Sequence, residues 1–549
     1  MKNSIYTIAL CMVVANSINV FAQAQPTKRP KLVVGIVVDQ MRYDYVYKYW
    51  NKYGNKGFKR LVNEGTFCEN THYNYSPTVT AAGHASIFTG ASPSSHGIVG
   101  NDWYNRATKK TMYCTEDENV QCLGGTEKAG KMSPKNMLTT TIGDELHLAQ
   151  QFKNKVIGVS LKDRSSILPA GHTANGAYWF DGKTGNFISS THYMEKLPEW
   201  VNTFNNRKLP QSYIQQPWTT LLPLDKYTES TIDETPYEET LKGEDKPTFP
   251  HNLQKIYAAV GSYEMLRTTP FGNTIVREMA VSILQNEKLG TTENNTDMIT
   301  ISFSSTDYVG HQYGTDAIET EDTYLRLDKE LELLLNYIDQ NIGKKNVLLF
   351  LTADHGAVPV PNMLIDKKIP AGYSDGDYIM DSGNKFLKQK FAVADLIEEE
   401  ENCNLYLNLS AIASNNLDID KIETELARFL QQQEGIKNAF TSREITTMSN
   451  ANYAQEMIAN GYYSKRSGNV VLALNAGWLT YKKKGTSHGT QYTYDTHVPL
   501  IWWGGNVPKA KSDYTHTTIT QIAPTVTTYL GIEKPNGSIA NPIQLILKK

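Results

Sequence analysis

The sequence lacks the features that would direct it to a polyanion or a membrane. Its 54 Lys and Arg are balanced by 57 Asp and Glu over 549 residues, so the net charge of −3 gives no basic footprint for nucleic acid. Beyond the N-terminal leader, no apolar run approaches the ~20 residues that a membrane-spanning helix needs. The composition, 40% hydrophobic and 20% charged, is that of a globular protein. We therefore expect no dedicated nucleic-acid partner and no membrane span.

The first residues have the pattern of a secretory signal peptide. Lys2 supplies a short positive region, Ile5 to Ala15 is largely apolar, and Ala22-Gln23-Ala24 offers small residues for cleavage. The alternative is a membrane anchor, for which the apolar run is too short. The sequence thus predicts a signal peptide over residues 1–24 and a periplasmic or secreted mature protein.

Cysteine is scarce, and its spacing disfavours a thiolate zinc site because no CxxC pair exists. With Cys11 removed in the leader, the mature chain keeps Cys68, Cys114, Cys122 and Cys403. Four cysteines in an exported protein favour two disulfides, with three possible connectivities. The alternative is four buried free thiols.

Apolar runs that alternate with helical patterns predict an α/β protein with a mostly parallel central sheet flanked by helices. The longest amphipathic pattern, Glu319 to Ile342, is expected to form a crossover helix. Two stretches lack this alternation and are interpreted as inserted caps, residues 165–270 and 358–484. The core would then consist of residues 30–164, 271–357 and 485–549. The sequence favours a monomer without fixing the oligomeric state.

Metal-type ligands follow several of the predicted strands. The ends of parallel strands meet at one edge of an open α/β sheet, so ligands distant in sequence can converge there. Six such ligands are too many for one tetrahedral zinc, but they divide into two sets of three, each with an open position. Two ions about 4 Å apart form a clamp used in phosphoryl transfer. The six residues are Asp39, Asp307, His311, Asp354, His355 and His488.

A candidate nucleophile lies in the segment Ser76-Pro-Thr-Val-Thr80-Ala-Ala-Gly-His. Thr80 is predicted to begin a helix, where its hydroxyl would face the positive end of the helix dipole. Coordination to a metal would activate this hydroxyl. The alternative role is a helix N-cap, and Thr78 is a neighbouring competitor. His84 is interpreted as structural.

Taken together, Asp39, Thr80, Asn101, Asp307-x-x-x-His311, Asp354-His355 and His488 resemble the alkaline phosphatase superfamily. The threonine context and Ser95-His-Gly-Ile-Val-Gly-Asn101 are similar to its nucleotide pyrophosphatase/phosphodiesterase branch. Lys162-Asp-Arg164 instead resembles the threonine-nucleophile, phosphate-irrepressible alkaline phosphatases of flavobacteria, which are monoesterases. The resemblance runs over nearly the whole mature chain.

This resemblance implies two Zn²⁺ ions and a role for each site residue. One ion would be held by Asp307, His311 and His488, and the other by Asp39, Asp354 and His355, with Thr80 on its substrate side. Asn101, Lys162 and Arg164 would contact phosphoryl oxygens, and Lys162 would supply the charge of a third metal. Thr80 would form a phosphothreonine that water then hydrolyses.

The sequence supports three other functions less well. A phosphodiesterase or nucleotide pyrophosphatase of the same superfamily is the main alternative, which Lys162 and Arg164 disfavour because a diester has one oxygen blocked. A sulfatase is not expected, because no Cys-x-Pro-x-Arg stretch exists for a formylglycine. A catalytically inactive binding or adhesion protein is disfavoured because all ligands and the hydroxyl are present together.

Overall fold

The computed structural model describes residues 29–448 and 452–547, so the predicted signal peptide lies outside the described residues. The strands are β1 (Leu32–Val38), β2 (Thr66–His72), β3 (Asp102–Asn105), β4 (Lys110–Tyr113), β5 (Cys122–Leu123), β6 (Val156–Ser160), β7 (Gly176–Asp181), β8 (Asn186–Ser190), β9 (Asp297–Phe303), β10 (Val347–Thr352), β11 (Gly372–Tyr373), β12 (Ile397–Glu401), β13 (Asn404–Leu407), β14 (Ile436–Thr441), β15 (Val470–Leu474), β16 (Trp478–Leu479), β17 (His497–Gly504), β18 (Lys511–Asp513) and β19 (Thr517–Thr518).

An 11-stranded sheet forms the centre, in the order β18-β2-β17-β10-β1-β9-β6-β7-β8-β5, with β19 beside β2. From β10 to β7 all neighbours are parallel, while β17 and β8 add antiparallel pairs on either side. Every residue of β1 is buried, as expected of an apolar strand covered by helices on both faces. The predicted α/β class with a mostly parallel sheet is confirmed.

The described residues form twelve helices of eight or more residues. The predicted crossover helix is observed at Ile318–Asn341, and its buried stripe includes Leu327, Leu331 and Leu335. The helices are Thr80–Thr89, Ile142–Ala149, Asp163–Ala170, Glu199–Asn206, Leu253–Val260, Phe271–Asn286, Ser305–Tyr313, Ile318–Asn341, Gly376–Phe391, Ile419–Leu430, Tyr453–Gly461 and Ile522–Leu530.

The two stretches interpreted as caps differ in how they relate to the central sheet. Between β10 and β17, the chain builds a separate antiparallel sheet, β12-β13-β15-β14, with its own core that includes Leu405, Leu426 and Val470. In the first stretch, by contrast, β7 and β8 extend the central sheet. The boundary at residue 165 is therefore wrong, since the core continues to at least Ser190; the other boundaries stay predictions.

The favoured disulfides are also wrong, because all four cysteines of the mature chain are free thiols in the structure. Cys68 lies in β2 near one end of the central sheet, and Cys122 lies in β5 at the other end. Cys403 belongs to the β12–β13 hairpin of the separate sheet. The fold thus places these cysteines on separate elements, and burial raises the pKa of the Cys68 and Cys403 thiols to about 12.

Within residues 29–448 and 452–547, the helices are all too short or too polar to cross a membrane.

Candidate active site

The carboxyl ends of three neighbouring strands carry the acidic site residues. β1 lies between β9 and β10; Asp39 directly follows β1, and Asp354 lies two residues after the end of β10. Asp307 lies in the first turn of Ser305–Tyr313, the helix that follows β9. The structure therefore brings these carboxylates together at one edge of the sheet, as parallel topology requires. Their roles as ligands stay predictions.

Asp307, His311 and His488 form what we term the outer cluster. Their ligand atoms all lie within 4.8 Å of one another. His311 follows Asp307 by one helical turn, which brings its Nε2 to 3.1 Å from Asp307 Oδ1. His488 Nε2 lies 3.7 Å from the same oxygen. The His311 side chain is 25% exposed, so this cluster borders solvent.

Asp39, Asp354 and His355 form the inner cluster, whose side chains are fully buried. His355 Nε2 lies 3.6 Å from Asp39 Oδ1 and 3.5 Å from Asp354 Oδ2. Both of these carboxylate oxygens lack a hydrogen-bond partner among the described residues, which is costly for a buried polar atom. Asp307 is close enough to form a ligand group with Asp39 and His355, so the two clusters adjoin.

The three cluster histidines share one orientation. In each, Nδ1 faces a backbone carbonyl, which fixes the proton on Nδ1 and leaves the Nε2 lone pair directed into the cluster. The acceptors are Thr486 for His311, Thr78 for His488 and Gly356 for His355, at 2.7, 2.8 and 2.9 Å. Metal-ligating histidines are oriented in this way.

Negative charge exceeds positive charge at the centre of the site. Lys162 Nζ donates to Asp39 Oδ2 at 2.7 Å and to Asp307 Oδ2 at 2.6 Å, and no other lysine or arginine of the described chain contacts the three cluster carboxylates. Burial and the neighbouring Asp354 raise the pKa of Asp39 well above its usual range. Although burial opposes it, His311 and Lys162 hold the pKa of Asp307 well below its usual range. Buried carboxylates in excess of their cations, beside imidazole nitrogens, suit a divalent metal such as zinc.

Thr80 lies between the inner cluster and Lys162. It is the first residue of the helix Thr80–Thr89 and is buried. Its Oγ1 lies 3.5 Å from His355 Nε2 and 3.4 Å from Lys162 Nζ. The competing Thr78 hydroxyl instead donates to the carbonyl of Thr490 at 2.9 Å. Of the two threonines, only Thr80 thus faces the ligand clusters.

Asn101 is held beside the helix Thr80–Thr89. Its Oδ1 accepts a hydrogen bond from the N–H of Ala81 at 2.9 Å. Because the carbonyl oxygen is occupied, the Nδ2 hydrogens remain available as donors. Asn101 also lines a cavity together with His311 and His488. The amide is therefore placed to donate to a group bound between the clusters.

Arg164 is fixed by a short chain of hydrogen bonds. Its Nη1 donates to the Tyr113 hydroxyl at 2.9 Å, and that hydroxyl donates to Asp163 Oδ1 at 2.5 Å. Arg164 Nε is buried without a partner among the described residues. Lys162, Arg164 and Arg267 line a cavity of about 140 Å³, which we term the cationic cavity after these three residues, although Asp163, Asp181 and Glu264 also line it.

Several neighbours of the site escaped the sequence analysis. Gln40 Nε2 donates to Asp307 Oδ1 at 2.7 Å, and the only signal was its place directly after Asp39. Arg267 Nη1 donates to the Tyr308 hydroxyl at 3.3 Å, but it lies in a stretch without clear periodicity. Tyr113 likewise gave no signal.

Two further residues hold the ligand-bearing loops. His84, predicted to be structural, hydrogen-bonds the Thr80 carbonyl at 2.9 Å and Ser302 Oγ at 2.9 Å. Asp495 Oδ2 accepts from the N–H groups of Gly489 and Thr490 at 3.1 and 2.7 Å, beside His488. The Asp495 carbonyl accepts from Gly356, beside His355, at 2.7 Å. Asp495 thereby joins the His355 and His488 loops.

The central sheet and the clusters at its carboxyl edge agree with the comparisons to known proteins. The chain belongs to the type I phosphodiesterase/nucleotide pyrophosphatase family, whose model matches residues 33–499. The superfamily resemblance seen in the sequence is thus confirmed.

Particular relatives cover nearly the whole chain. The alkaline phosphatase PhoV of Synechococcus elongatus is 45% identical over 100% of both chains. The alkaline phosphatase PafA of Elizabethkingia meningoseptica is 44% identical over 94% of this chain and 95% of its own. A crystal structure of PafA matches with a TM-score of 0.91 at 43% identity, covering 95% of this chain and 99% of that one. A protein of Myroides odoratus named calcium-transporting ATPase is 47% identical over 95% of both.

Proposed function

We propose that this chain is an exported, zinc-dependent alkaline phosphatase that hydrolyses phosphate monoesters. The observation that carries the proposal is the position of the Thr80 hydroxyl between the inner cluster and Lys162. The similarity to PhoV and PafA over nearly the full length of the chain supports it. The predicted signal peptide supports a periplasmic or secreted location, and we propose a monomer.

Two Zn²⁺ ions are the proposed metals. The outer cluster would hold one ion and the inner cluster the other, since both combine carboxylate oxygen with imidazole nitrogen. When bound, the ions would neutralise the phosphoryl oxygens and lower the pKa of coordinated hydroxyl groups. The unpartnered oxygens of Asp39 and Asp354 fit this use.

Thr80 is the proposed nucleophile. Its hydroxyl would attack phosphorus, expel the alcohol and become phosphothreonine, which water would then hydrolyse. The ammonium of Lys162, 3.4 Å from Thr80 Oγ1, would stabilise the alkoxide as the proton leaves. Lys162 remains charged because Asp307 and Asp39 raise its pKa, although burial opposes them.

Asn101 and Arg164 would bind the non-bridging phosphoryl oxygens. The Asn101 amide can donate without losing its bond to Ala81, because that bond uses Oδ1. Arg164 is held in place by Tyr113, so its planar fork needs little reorganisation to receive an oxygen. A monoester presents three such oxygens and a diester only two, which favours the monoester.

A substrate comparison tests this function against two alternatives. We expect an aryl phosphate to be hydrolysed much faster than its methyl diester; the reverse order would indicate a phosphodiesterase. ATP, assayed with and without Ca²⁺, addresses the name of the Myroides relative. Hydrolysis of ATP that requires Ca²⁺, without turnover of the aryl phosphate, would contradict the phosphatase proposal.

A further inference from the structure

A second cavity, of about 350 Å³, opens beside the outer cluster. Its lining includes Asn101, His311 and His488, together with Glu400 and Glu401 from the end of β12. The β12–β13 hairpin is anchored there, because Asn402 Nδ2 donates to the Asp102 carbonyl at 3.2 Å. We term this space the side cavity.

In-line transfer fixes what the side cavity would hold. The attacking and leaving oxygens lie on opposite sides of phosphorus. Thr80 Oγ1 lies 3.5 Å from His355 of the inner cluster, so the leaving oxygen would face the outer cluster. Because His311 and His488 belong to the outer cluster and line the side cavity, the alcohol part of a monoester would extend into it.

Negative charge predominates in the lining of the side cavity. Two carboxylates line it, whereas no lysine or arginine of the described chain does so. Glu400 Oε1 is occupied by the N–H of Cys403 at 2.8 Å. The Glu401 carboxylate has neither a hydrogen bond nor an ion pair with the described residues, and burial together with Asp102 raises its pKa to about 7. At alkaline pH Glu401 therefore carries an unpaired negative charge on the cavity wall.

We propose that Glu401 makes the side cavity selective for phosphate monoesters of alcohols that bear a positive charge, such as amino alcohols, over alcohols that bear a carboxylate. A cation on the alcohol would form an ion pair with the Glu401 carboxylate, whereas an anion would be repelled by it in a partly desolvated space. The inference rests on the proposed phosphatase function and adds its substrate class.

Two matched substrate pairs test the proposal through kcat/KM at about pH 9, above the Glu401 pKa. Phosphocholine is compared with 3,3-dimethylbutyl phosphate, in which carbon replaces the charged nitrogen. 4-Carboxyphenyl phosphate is compared with its neutral carboxamide. In Glu401→Gln, we expect the cation-to-neutral ratio to fall about three- to tenfold and the anion-to-neutral ratio to rise by a similar factor, relative to the unmodified chain.

The matched control is Glu398→Gln. Glu398 is on the same strand but pairs with Lys109 at 3.3 Å and does not line the side cavity, so both ratios should remain within about twofold. Unchanged ratios in a Glu401→Gln variant that still hydrolyses both neutral esters would overturn the inference while leaving the phosphatase function intact.

A second variant covers the case in which Glu401→Gln does not fold. Thr480→Lys places a positive charge on the exposed rim of the same cavity and should move both ratios in the same directions. Ratios equal to those of the unmodified chain would overturn the inference. If the unmodified chain hydrolyses none of the four esters, the proposed function itself is overturned.

Discussion

The inner and outer clusters offer similar donors in different surroundings. The inner cluster is completely buried: Asp39 directly follows core strand β1, and Asp354 and His355 lie two and three residues after core strand β10. The outer cluster draws on a helix turn and on a loop after the second inserted stretch, and its His311 is 25% exposed. The contrast indicates a division of labour, in which the rigid cluster positions the nucleophile and the accessible cluster meets the substrate.

Removal of the nucleophile should have the largest effect. We expect Thr80→Ala to lose several orders of magnitude in kcat, because covalent catalysis is lost, whereas Thr80→Ser should retain much of the activity. Acid quench during turnover, followed by peptide mapping, should find phosphate on the peptide that contains Thr80. Phosphate on Thr78 would show that Thr80 is not the nucleophile and that the nucleophile does not lie beside the inner cluster.

Single-ligand variants compare the clusters directly. Asp354→Ala and His488→Ala should each lower kcat/KM by about a thousandfold and each retain about one zinc per chain, measured by elemental analysis. With a chelator, the unmodified chain should release its first zinc from the exposed outer cluster. Asp354→Ala should retain the outer zinc and His488→Ala the inner zinc, so Asp354→Ala should release its zinc faster. The opposite order of release would contradict the proposal.

The cationic cavity should affect monoesters more than diesters. Arg164→Ala and Lys162→Ala each remove a charge-assisted contact worth about 2–4 kcal/mol, so monoester kcat/KM should fall about 30- to 1000-fold. In Arg164→Ala, diester hydrolysis should fall much less. Lys162→Ala also removes the only ammonium of the described chain that contacts both clusters, so it should be the more damaging of the two. Equal losses on both substrates in Arg164→Ala would show that Arg164 does not determine the preference for monoesters.

Gln40 supports Asp307 of the outer cluster through its amide. Its φ of 64° favours Asn as the replacement, because Asn tolerates this region but is too short to reach Asp307. We expect Gln40→Asn to weaken the more labile zinc about ten- to a hundredfold and to leave the tighter zinc unchanged, as measured by competition with a chelator. Equal weakening of both ions would contradict separate support of the clusters.

The smallest effect on activity is expected at Glu238, whose carboxylate belongs to neither cluster. Burial and Glu319 raise the pKa of Glu238 from 4.5 to about 9, so the folded chain keeps a proton that the unfolded chain releases. The free energy of unfolding should therefore fall as pH rises from about 5 to about 9, and Glu238→Gln should reduce this slope. Denaturant melts at both pH values measure it, with kcat/KM as the control. A steeper slope in the variant would show that the sign is wrong.

The sequence was most informative where local pattern and topology agree. The apolar runs before Asp39 and Asp354 could only be buried strands, and parallel topology then placed their ends together. The crossover helix, expected at Glu319 to Ile342, is observed at Ile318–Asn341. These elements are set by short-range periodicity, which a single sequence records.

Contacts between residues far apart in the sequence cannot be predicted from short-range periodicity. The sequence places β7 and β8 in a cap because their short runs give no sign that β7 pairs with β6 and β8 with β7. The disulfides were inferred from export alone, whereas the fold places the cysteines on separate elements. Tyr113 reaches Arg164 only through a hairpin whose position depends on the whole fold.

Asp495 has a consequence for how such a protein can diversify. The stretch between His355 and His488 leaves and re-enters the sheet edge at one place, where Val358 N–H meets the Ser487 carbonyl and Asp495 holds both flanking loops. The intervening chain is thus clamped at its base. Mutations can lengthen, shorten or replace the stretch between His355 and His488 without shifting either ligand loop. Substrate preference can therefore change while the arrangement of the two clusters is preserved.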